Sequence, residues 1–249
     1  TRPPDAAWTV SGGVTNALSF THWGSPGRSN SVSAAFLPIG ITNVAQTLTL
    51  CPVAATNVVR AKVSAPAEVA SVVLSFQTVA TNQYRFTNRS YSQLAMRDDG
   101  VAPDTAAGDG TYAVNLPPVA SNLTLVRYHV IATATNGFSA RSPHLDDPST
   151  DHAYWVQSTS PQTNLPNWQL LMDGVPLQYP YSRHLCAVSP DGQIFTDIMA
   201  KHRGNAESED LTHTGIGLHF HRSKKYNAWF ALNQSGINIR HRLNNVKYY

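Results

Sequence analysis

The segment Met96–Leu116, MRDDGVAPDTAAGDGTYAVNL, joins an acidic, glycine-rich loop to a short strand. Four of the chain's fifteen carboxylates lie in this loop, as Asp98, Asp99, Asp104 and Asp109. The glycines between them allow positive φ values, so the backbone can turn several carboxylate oxygens toward one point. Calcium is held by about six to eight oxygens, which come from carboxylates, carbonyls and water. The four aspartates are therefore candidate calcium ligands.

A second interpretation of the loop is a solvated hairpin connection. The spacing of the acids does not follow the EF-hand pattern, and Asp-Gly is also a strong turn signal. After the loop, Tyr112, Val114 and Leu116 alternate with smaller or polar residues, which predicts a half-buried strand. The loop is therefore expected to connect two strands of a β domain, with or without calcium.

Residues 55–157 contain about seven short runs of β-forming residues separated by turn signals, and Asn136-Gly137 predicts a tight turn after the sixth. Seven short strands in about a hundred residues are typical of an immunoglobulin-like or fibronectin-like β-sandwich. The predicted strands lie around Val58–Val63, Val72–Gln77, Tyr84–Phe86, Tyr91–Met96, Tyr112–Leu116, Leu125–Thr133 and Tyr154–Val156.

The rest of the chain divides around this sandwich. Residues 1–54 are rich in turn residues and predict a linker or the end of a preceding module. Residues 158–164 are polar and predict a second linker. Residues 165–249 return to short β runs, and no segment of the chain keeps a helical period. The expected fold class is mainly β, with a sandwich followed by a second β-rich domain.

Composition favours an extracellular protein. Only 13% of the 249 residues are charged, and no run approaches the length of about 18 to 20 apolar residues that spans a membrane. Cys51 and Cys186, the two cysteines, are too few for a disulfide scaffold, and the sequence leaves their pairing open. We expect a secreted or cell-surface protein.

The charges are unevenly distributed along the chain. Residues up to Asp210 carry fifteen acids and twelve Lys or Arg, whereas Leu211–Tyr249 carries six Lys or Arg, four His and no acid. Such a segment favours an anionic partner surface.

The motifs MRDDG at Met96–Gly100, GDGTY at Gly108–Tyr112 and VRYHVIATATNG at Val126–Gly137 resemble the Ig-like module of large secreted bacterial proteins. In that group a CotH-type, spore-coat-kinase-like domain follows the module, and Leu165–Leu170 and Ile198–Asn205 resemble its opening. Trp8 and its neighbours are similar to the end of a lamin-tail-like module. The resemblance implies that residues 165–249 hold only the first part of such a domain.

A kinase would need ATP and magnesium, and the resemblance implies that the metal-holding acids lie further downstream. In this chain Lys201, Arg203, Lys224 and Lys225 are candidate phosphate ligands, but no acid follows Asp210 to hold magnesium.

Three functions remain open on the sequence alone. The first is a structural or interaction module of a modular cell-surface protein, with other copies or other surface proteins as partners and with filaments as one outcome. The second is the amino-terminal portion of a CotH-type kinase. The third is polysaccharide binding through Trp155, Trp168 and Trp229. None of the three predicts nucleic-acid binding.

Overall fold

The computed structural model describes residues 7–9, 17–25, 28–35, 39–65, 68–80, 83–84, 90–158, 168–172, 183–190, 193–203, 215–221, 224–228, 231–234 and 236–240. Over these ranges all regular secondary structure is β, in several separate sheets. The predicted mainly β fold is confirmed. No helix in the described ranges is long and apolar enough to cross a membrane.

Residues 39–158, here called the sandwich, form two sheets. The larger sheet is antiparallel apart from one parallel edge pair. Its strands, in spatial order, are β5 (Leu50–Cys51), β12 (His152–Val156), β10 (Thr124–Ala134), β7 (Val69–Val79) and β8 (Ser92–Ala95), and β11 (Ser139–Ser142) also pairs with β10. The predicted turn at Asn136-Gly137 is confirmed as the connection between β10 and β11.

The smaller sheet has three antiparallel strands in the order β4 (Gly40–Gln46), β6 (Asn57–Ser64) and β9 (Thr111–Leu116). Alternate residues of β6, namely Val59, Ala61 and Val63, are buried against Leu74 and Tyr128 of the larger sheet in one apolar cluster. Two sheets around one core are the architecture of immunoglobulin-like sandwiches.

The sandwich begins before the predicted boundary at residue 55. Strand β4 pairs with β6, β5 pairs with β12, and Ile39 and Cys51 are buried in the shared core. A bulge explains why the sequence pattern did not predict β4. The register shifts between Thr42 and Ala45, with Asn43 at a φ of 51°, so the apolar residues lose their period of two.

The amino-terminal residues are not a plain linker. Three strands form a separate antiparallel sheet in the order β1 (Ala7–Thr9), β3 (Arg28–Ala35) and β2 (Ala17–Ser25). Their sequences are rich in Ser and Ala, and this composition explains why they predicted a linker. The interpretation as the end of a preceding module stays a prediction.

Residues 168–240, here called the second β unit, contain a five-stranded antiparallel sheet and a hairpin. The sheet order is β13 (Trp168–Leu171), β14 (Arg183–Pro190), β15 (Phe195–Arg203), β16 (Gly215–His219) and β19 (Gly236–Arg240), and the hairpin pairs β17 (Tyr226–Ala228) with β18 (Ala231–Gln234). Cys186, Ile198, Leu218 and Phe220 lie in its apolar cluster. A second β-rich part is therefore confirmed.

The two parts share an apolar contact, here called the joint. Val79, Leu125 and Trp155 of the sandwich pack with Leu171 and Ala187 of the second β unit. Trp155 is only 2% exposed, so it is not available to a sugar, and its assignment as a candidate sugar platform is wrong.

Cys51 and Cys186 are both buried in different apolar clusters and are not bonded to each other.

Candidate functional site

The acidic loop is folded by hydrogen bonds from its own backbone. Asp98 Oδ2 accepts a bond of 2.8 Å from the N–H of Gly110, and Asp98 Oδ1 accepts one of 3.2 Å from the N–H of Asp109. Gly100, Gly108 and Gly110 have φ values between 71° and 80°, which only glycine adopts without strain. Asp98 thereby closes the base of the loop.

Asp104 lies at the centre of the loop and is only 5% exposed. Its Oδ2 accepts a 2.7 Å hydrogen bond from the N–H of Gly100, and its Oδ1 accepts one of 2.7 Å from the N–H of Thr105. The bond from Gly100 is the main cause that lowers the pKa of the Asp104 carboxyl.

The other two aspartates also form local turns. Asp99 Oδ1 accepts from the N–H of Val101 at 3.0 Å, and Asp109 Oδ1 accepts from the N–H of Thr111 at 2.6 Å. No group of three His, Cys, Asp or Glu in the described ranges is arranged to hold a metal ion. All four carboxylates thus have backbone donors that a calcium ion would have to share, and calcium binding here stays a prediction.

Two basic side chains attach the loop to the smaller sheet. Arg60 Nη2 donates a 2.9 Å hydrogen bond to the carbonyl of Pro103, and Lys62 Nζ donates to the carbonyl of Asp109. Both residues lie on β6, next to β9, which follows the loop. The loop is therefore held against the sandwich by cation-to-carbonyl bonds.

The four candidate phosphate ligands do not meet at one point. Lys201 and Arg203 lie at the end of β15, whereas Lys224 has its ammonium group 5.5 Å from the ring of Phe195, the first residue of that strand. Six residues of strand separate Phe195 from Lys201, or about 20 Å. Lys225 is exposed beside Lys224. These positions do not bring all four residues to one point in the described ranges, phosphate binding by them stays a prediction, and Lys224 belongs to a separate site.

That site is a cavity of about 460 Å³ between the sandwich and the second β unit. One wall comes from the segment 143–153, which connects β11 to β12 and continues into that strand, with Gln46 and Thr49 beside it. Ile194, Thr196 and Lys224 form the opposite wall. The volume lies in the range of about 300 to 1,000 Å³ that is usual for small-molecule sites.

Lys224 reaches into the cavity from an isolated bridge between His221 and Lys224. Its ammonium group donates to Ser149 Oγ at 3.1 Å. Lys224 as a whole is exposed, and its ammonium group has Ser149 Oγ and the ring of Phe195 as neighbours. Loss of hydration there lowers the pKa of Lys224, and the charge of Asp147 partly opposes the change.

A buried aspartate organises the sandwich wall of the cavity. Asp151 Oδ2 accepts a 2.7 Å bond from the hydroxyl of Tyr91, and Asp151 Oδ1 lies 2.9 Å from His129 Nδ1 and 3.5 Å from Arg141 Nη2. Arg141 also donates to the carbonyls of Pro143 and Thr150. These bonds fix the backbone of the segment 143–153, which carries Ser149 and His152.

His152 is the most strongly shifted imidazole in the described ranges. Burial lowers its pKa to about 4, and the positive charge of Lys224 acts in the same direction. Its Nε2 lies 3.2 Å from Ser142 Oγ, and its ring packs on Tyr128 with centroids 5.4 Å apart. His152 is therefore neutral at pH 7.

Sequence reasoning found Lys224 but not the cavity. Ser149 and His152 are far from Thr196 and Lys224 in the chain, and the two pairs line one cavity only because the two units dock. A single serine or threonine in a chain so rich in both carries no signal of its own. Of the histidines, His219 and His221 lie on either side of buried Phe220 and are exposed.

No protein-family model and no curated protein matches this sequence. Among solved structures, the chain is similar to Spo0M, a sporulation control protein from Bacillus subtilis, with 8% identity over 82% of this chain and 89% of that chain. The TM-score of that comparison is 0.29, which is too low to support an argument about fold or function.

Proposed function

We propose that this chain is a structural or interaction module of a secreted, modular bacterial cell-surface protein. The observation that carries the proposal is the joint between the two β units. Its apolar cluster and the contact of Tyr84 with Asp197 bind the sandwich to the second β unit. A firm joint suits a module that presents surfaces to other proteins at fixed positions.

Charge distribution supports association with other copies or other surface proteins. The segment Leu211–Tyr249 carries six Lys or Arg and no acid, while exposed acids lie on the sandwich. Asp146 is well placed for such a contact, since its side chain is 83% exposed. Asp151 is an unsuitable partner because it is buried and bonded within the sandwich. Contacts between a basic segment of one copy and an acid of the next are head-to-tail, and such contacts can build open filaments.

The experiment is sedimentation of the full chain at low and high salt. Self-association that weakens as salt rises supports the proposal, because salt screens exposed ion pairs. Asp146→Asn should weaken the association, while Glu68→Gln removes the same charge from another exposed site and serves as the matched control.

The kinase alternative is tested on the same sample. Incubation with ATP, magnesium and a protein substrate should give no phosphate transfer. A chain that is monomeric at every salt concentration and phosphorylates the substrate would overturn the proposal in favour of the CotH-type enzyme.

A further inference from the structure

The dipeptide Asn136-Gly137 occurs once in the sequence and lies at the tip of the hairpin that joins β10 to β11. All four residues from Thr135 to Phe138 are exposed. Gly137 has a φ of 86°, and apart from its chain neighbours no atom of the described ranges lies within 4 Å of the point where a Cβ would stand. The tip is therefore open to water, and no side chain on residue 137 stands beside its amide nitrogen.

The side chain of Asn136 folds back along this turn. Its Oδ1 accepts a hydrogen bond of 3.2 Å from the N–H of Phe138, which is the pattern of an Asx turn. The ring closed by this bond contains both the carboxamide carbon of Asn136 and the amide nitrogen of Gly137. The bond also draws electron density from the carboxamide carbonyl, so its carbon becomes a better electrophile. The two atoms that would join in a cyclisation are thus members of one small ring.

One hydrogen bond restrains the amide nitrogen of Gly137. Its N–H donates to the carbonyl of Ala134 at 2.9 Å, and this bond has to open before the nitrogen can attack. The bond belongs to an exposed turn, and exposed turns open at little cost in free energy while the core stays folded. A reaction at this nitrogen therefore requires only local opening of the hairpin tip.

We infer that Asn136 is a site of spontaneous deamidation in the folded protein. Base in the solvent removes the amide proton of Gly137, and the nitrogen attacks the carboxamide carbon of Asn136. A new carbon–nitrogen bond forms while the bond from that carbon to Nδ2 breaks, and Nδ2 leaves as ammonia after taking a proton from water. Water then opens the cyclic imide. Opening at the side-chain carbonyl gives aspartate, and opening at the main-chain carbonyl gives isoaspartate.

Both products carry a negative charge that Asn136 lacks. The charge appears beside Thr135, whose N–H donates to the carbonyl of exposed Glu68 at 2.9 Å, so a second acid joins Glu68 at this end of the sandwich. Isoaspartate also adds a methylene group to the backbone of the hairpin, close to the pair formed by Thr133 and Ser139. The reaction therefore changes both the surface charge of the sandwich and the connection between β10 and β11.

Two other asparagines show why the reaction is selective. Asn57 is 1% exposed, and both polar atoms of its carboxamide bond to the backbone of Leu48. Asn122 is exposed, but its Oδ1 accepts from the N–H of Ser158, and Leu123 follows it. A side chain on the following residue hinders attack by its nitrogen, and glycine has none. Asn122 is thus an internal control for exposure alone.

The test is peptide mapping by mass spectrometry after storage of the full chain at mildly alkaline pH, in buffer and in urea. We expect the peptide that contains Asn136 to gain the mass difference between an amide and an acid faster than the peptide that contains Asn122, in the folded sample. The rate should rise with pH, because base generates the attacking nitrogen. Labelling by an isoaspartate-specific methyltransferase gives an independent readout of the isomerised product.

Matched variants locate the site. Asn136→Gln keeps a carboxamide but would have to close a larger ring, so we expect loss of both the mass change and the methyltransferase label. Asn122→Gln makes the same exchange at the other exposed position and should leave the modification of Asn136 unchanged.

Three results would overturn the inference. The first is an Asn136 peptide that stays unmodified in the folded sample, including modification confined to urea, since the turn would then protect the residue. The second is an equal rate at Asn122. The third is a methyltransferase label that survives Asn136→Gln, since the isoaspartate would then lie elsewhere. None of these results depends on whether the chain self-associates.

Discussion

The hydroxyl of Tyr84 donates a 2.7 Å hydrogen bond to Asp197 Oδ1 and accepts a 2.8 Å bond from the backbone N–H of the same residue. Tyr84 belongs to the sandwich side of the joint and Asp197 lies on β15 of the second β unit. Tyr84 is 1% exposed, and its backbone N–H also reaches the carbonyl of Met172. Burial, followed by the charge of Asp197, raises the pKa of Tyr84. One side chain thus carries two polar bonds across the joint.

Tyr84→Phe should destabilise the joint. The change removes both bonds and leaves the N–H and carboxylate of Asp197 without this buried partner, at a cost of about 1 to 3 kcal/mol. Denaturant unfolding measures the loss. Tyr112→Phe is the matched control, because the Tyr112 hydroxyl makes no hydrogen bond in the described ranges. Equal losses in the two variants would mean that the Tyr84 bonds contribute nothing to the joint.

His152 should make the protein less stable in acid. Its pKa is about 4 when folded, below the ordinary value of 6.5, so the unfolded chain binds more protons between these two values. The contribution of His152 is fully present above about pH 6.5 and is lost as the pH falls toward 4, at up to about 1.4 kcal/mol per pH unit.

Denaturant unfolding at a series of pH values between about 7 and 4.5 measures this loss. His152→Gln cannot titrate, so its stability should fall less steeply over the same window. His144→Gln, at an imidazole whose side chain is 66% exposed, is the control and should follow the parent protein. Parallel curves for His152→Gln and the parent would contradict the prediction.

The sequence predicts strands best where apolar residues keep a period of two. In β10, Val126, Tyr128, Val130 and Ala132 alternate and are all buried, as expected for one face of a half-buried strand. Strand β4 was not predicted because its bulge breaks that period. Strand β11 was not predicted because Ser139–Ser142 is short and contains no large apolar residue. Local pattern therefore identifies strands only where no bulge or polar edge interrupts it.

The candidate sites show the same limit. The acidic loop is visible in sequence because its aspartates and glycines are contiguous, but which carboxylate lies inside depends on the path of the backbone. Asp104 turns inward to Gly100 and Thr105, while Asp99 stays near the surface beside Arg97. The cavity could not be predicted at all, because lining residues such as Ser149 and Thr196 come from two units that are distant in the sequence.

Calcium should raise the melting temperature if the acidic loop binds it. A ligand bound only to the folded state stabilises it by about 2.7 kcal/mol at a hundredfold excess over its Kd. Thermal unfolding with millimolar calcium and then with a chelator measures the shift. Asp98→Asn should abolish the shift. The baseline stability of this variant is not informative, because Asp98 also accepts two backbone bonds that close the loop.

Magnesium at the same concentration controls for non-specific screening by a divalent cation. An identical melting curve in calcium and in chelator would assign the loop to the hairpin interpretation, in which backbone donors alone satisfy its carboxylates.

The last prediction concerns the start of the sandwich. A fragment comprising residues 36–158 should fold, and one comprising residues 55–158 should be far less stable. The shorter fragment lacks β4 and β5, and with them the buried side chains of Ile39 and Cys51. Burial of a single large aliphatic side chain stabilises a fold by about 1.5 to 3 kcal/mol. Loss of β4 also removes one of the three strands of the smaller sheet and exposes the edge of β6, which is prone to aggregate.

Both fragments lack the second β unit and expose the same joint residues, so the comparison isolates the first two strands of the sandwich. Their carboxyl end at Ser158 is chosen because the N–H of Gln157 bonds to the carbonyl of Cys51 at 3.0 Å and the N–H of Ser158 bonds to Asn122 Oδ1 at 2.8 Å. Limited proteolysis of the full chain should accordingly cut after Ser158, in the predicted linker, before it cuts inside the sandwich. Equal stability of the two fragments, measured by denaturant unfolding, would restore the boundary at residue 55 and remove β4 and β5 from the folding unit.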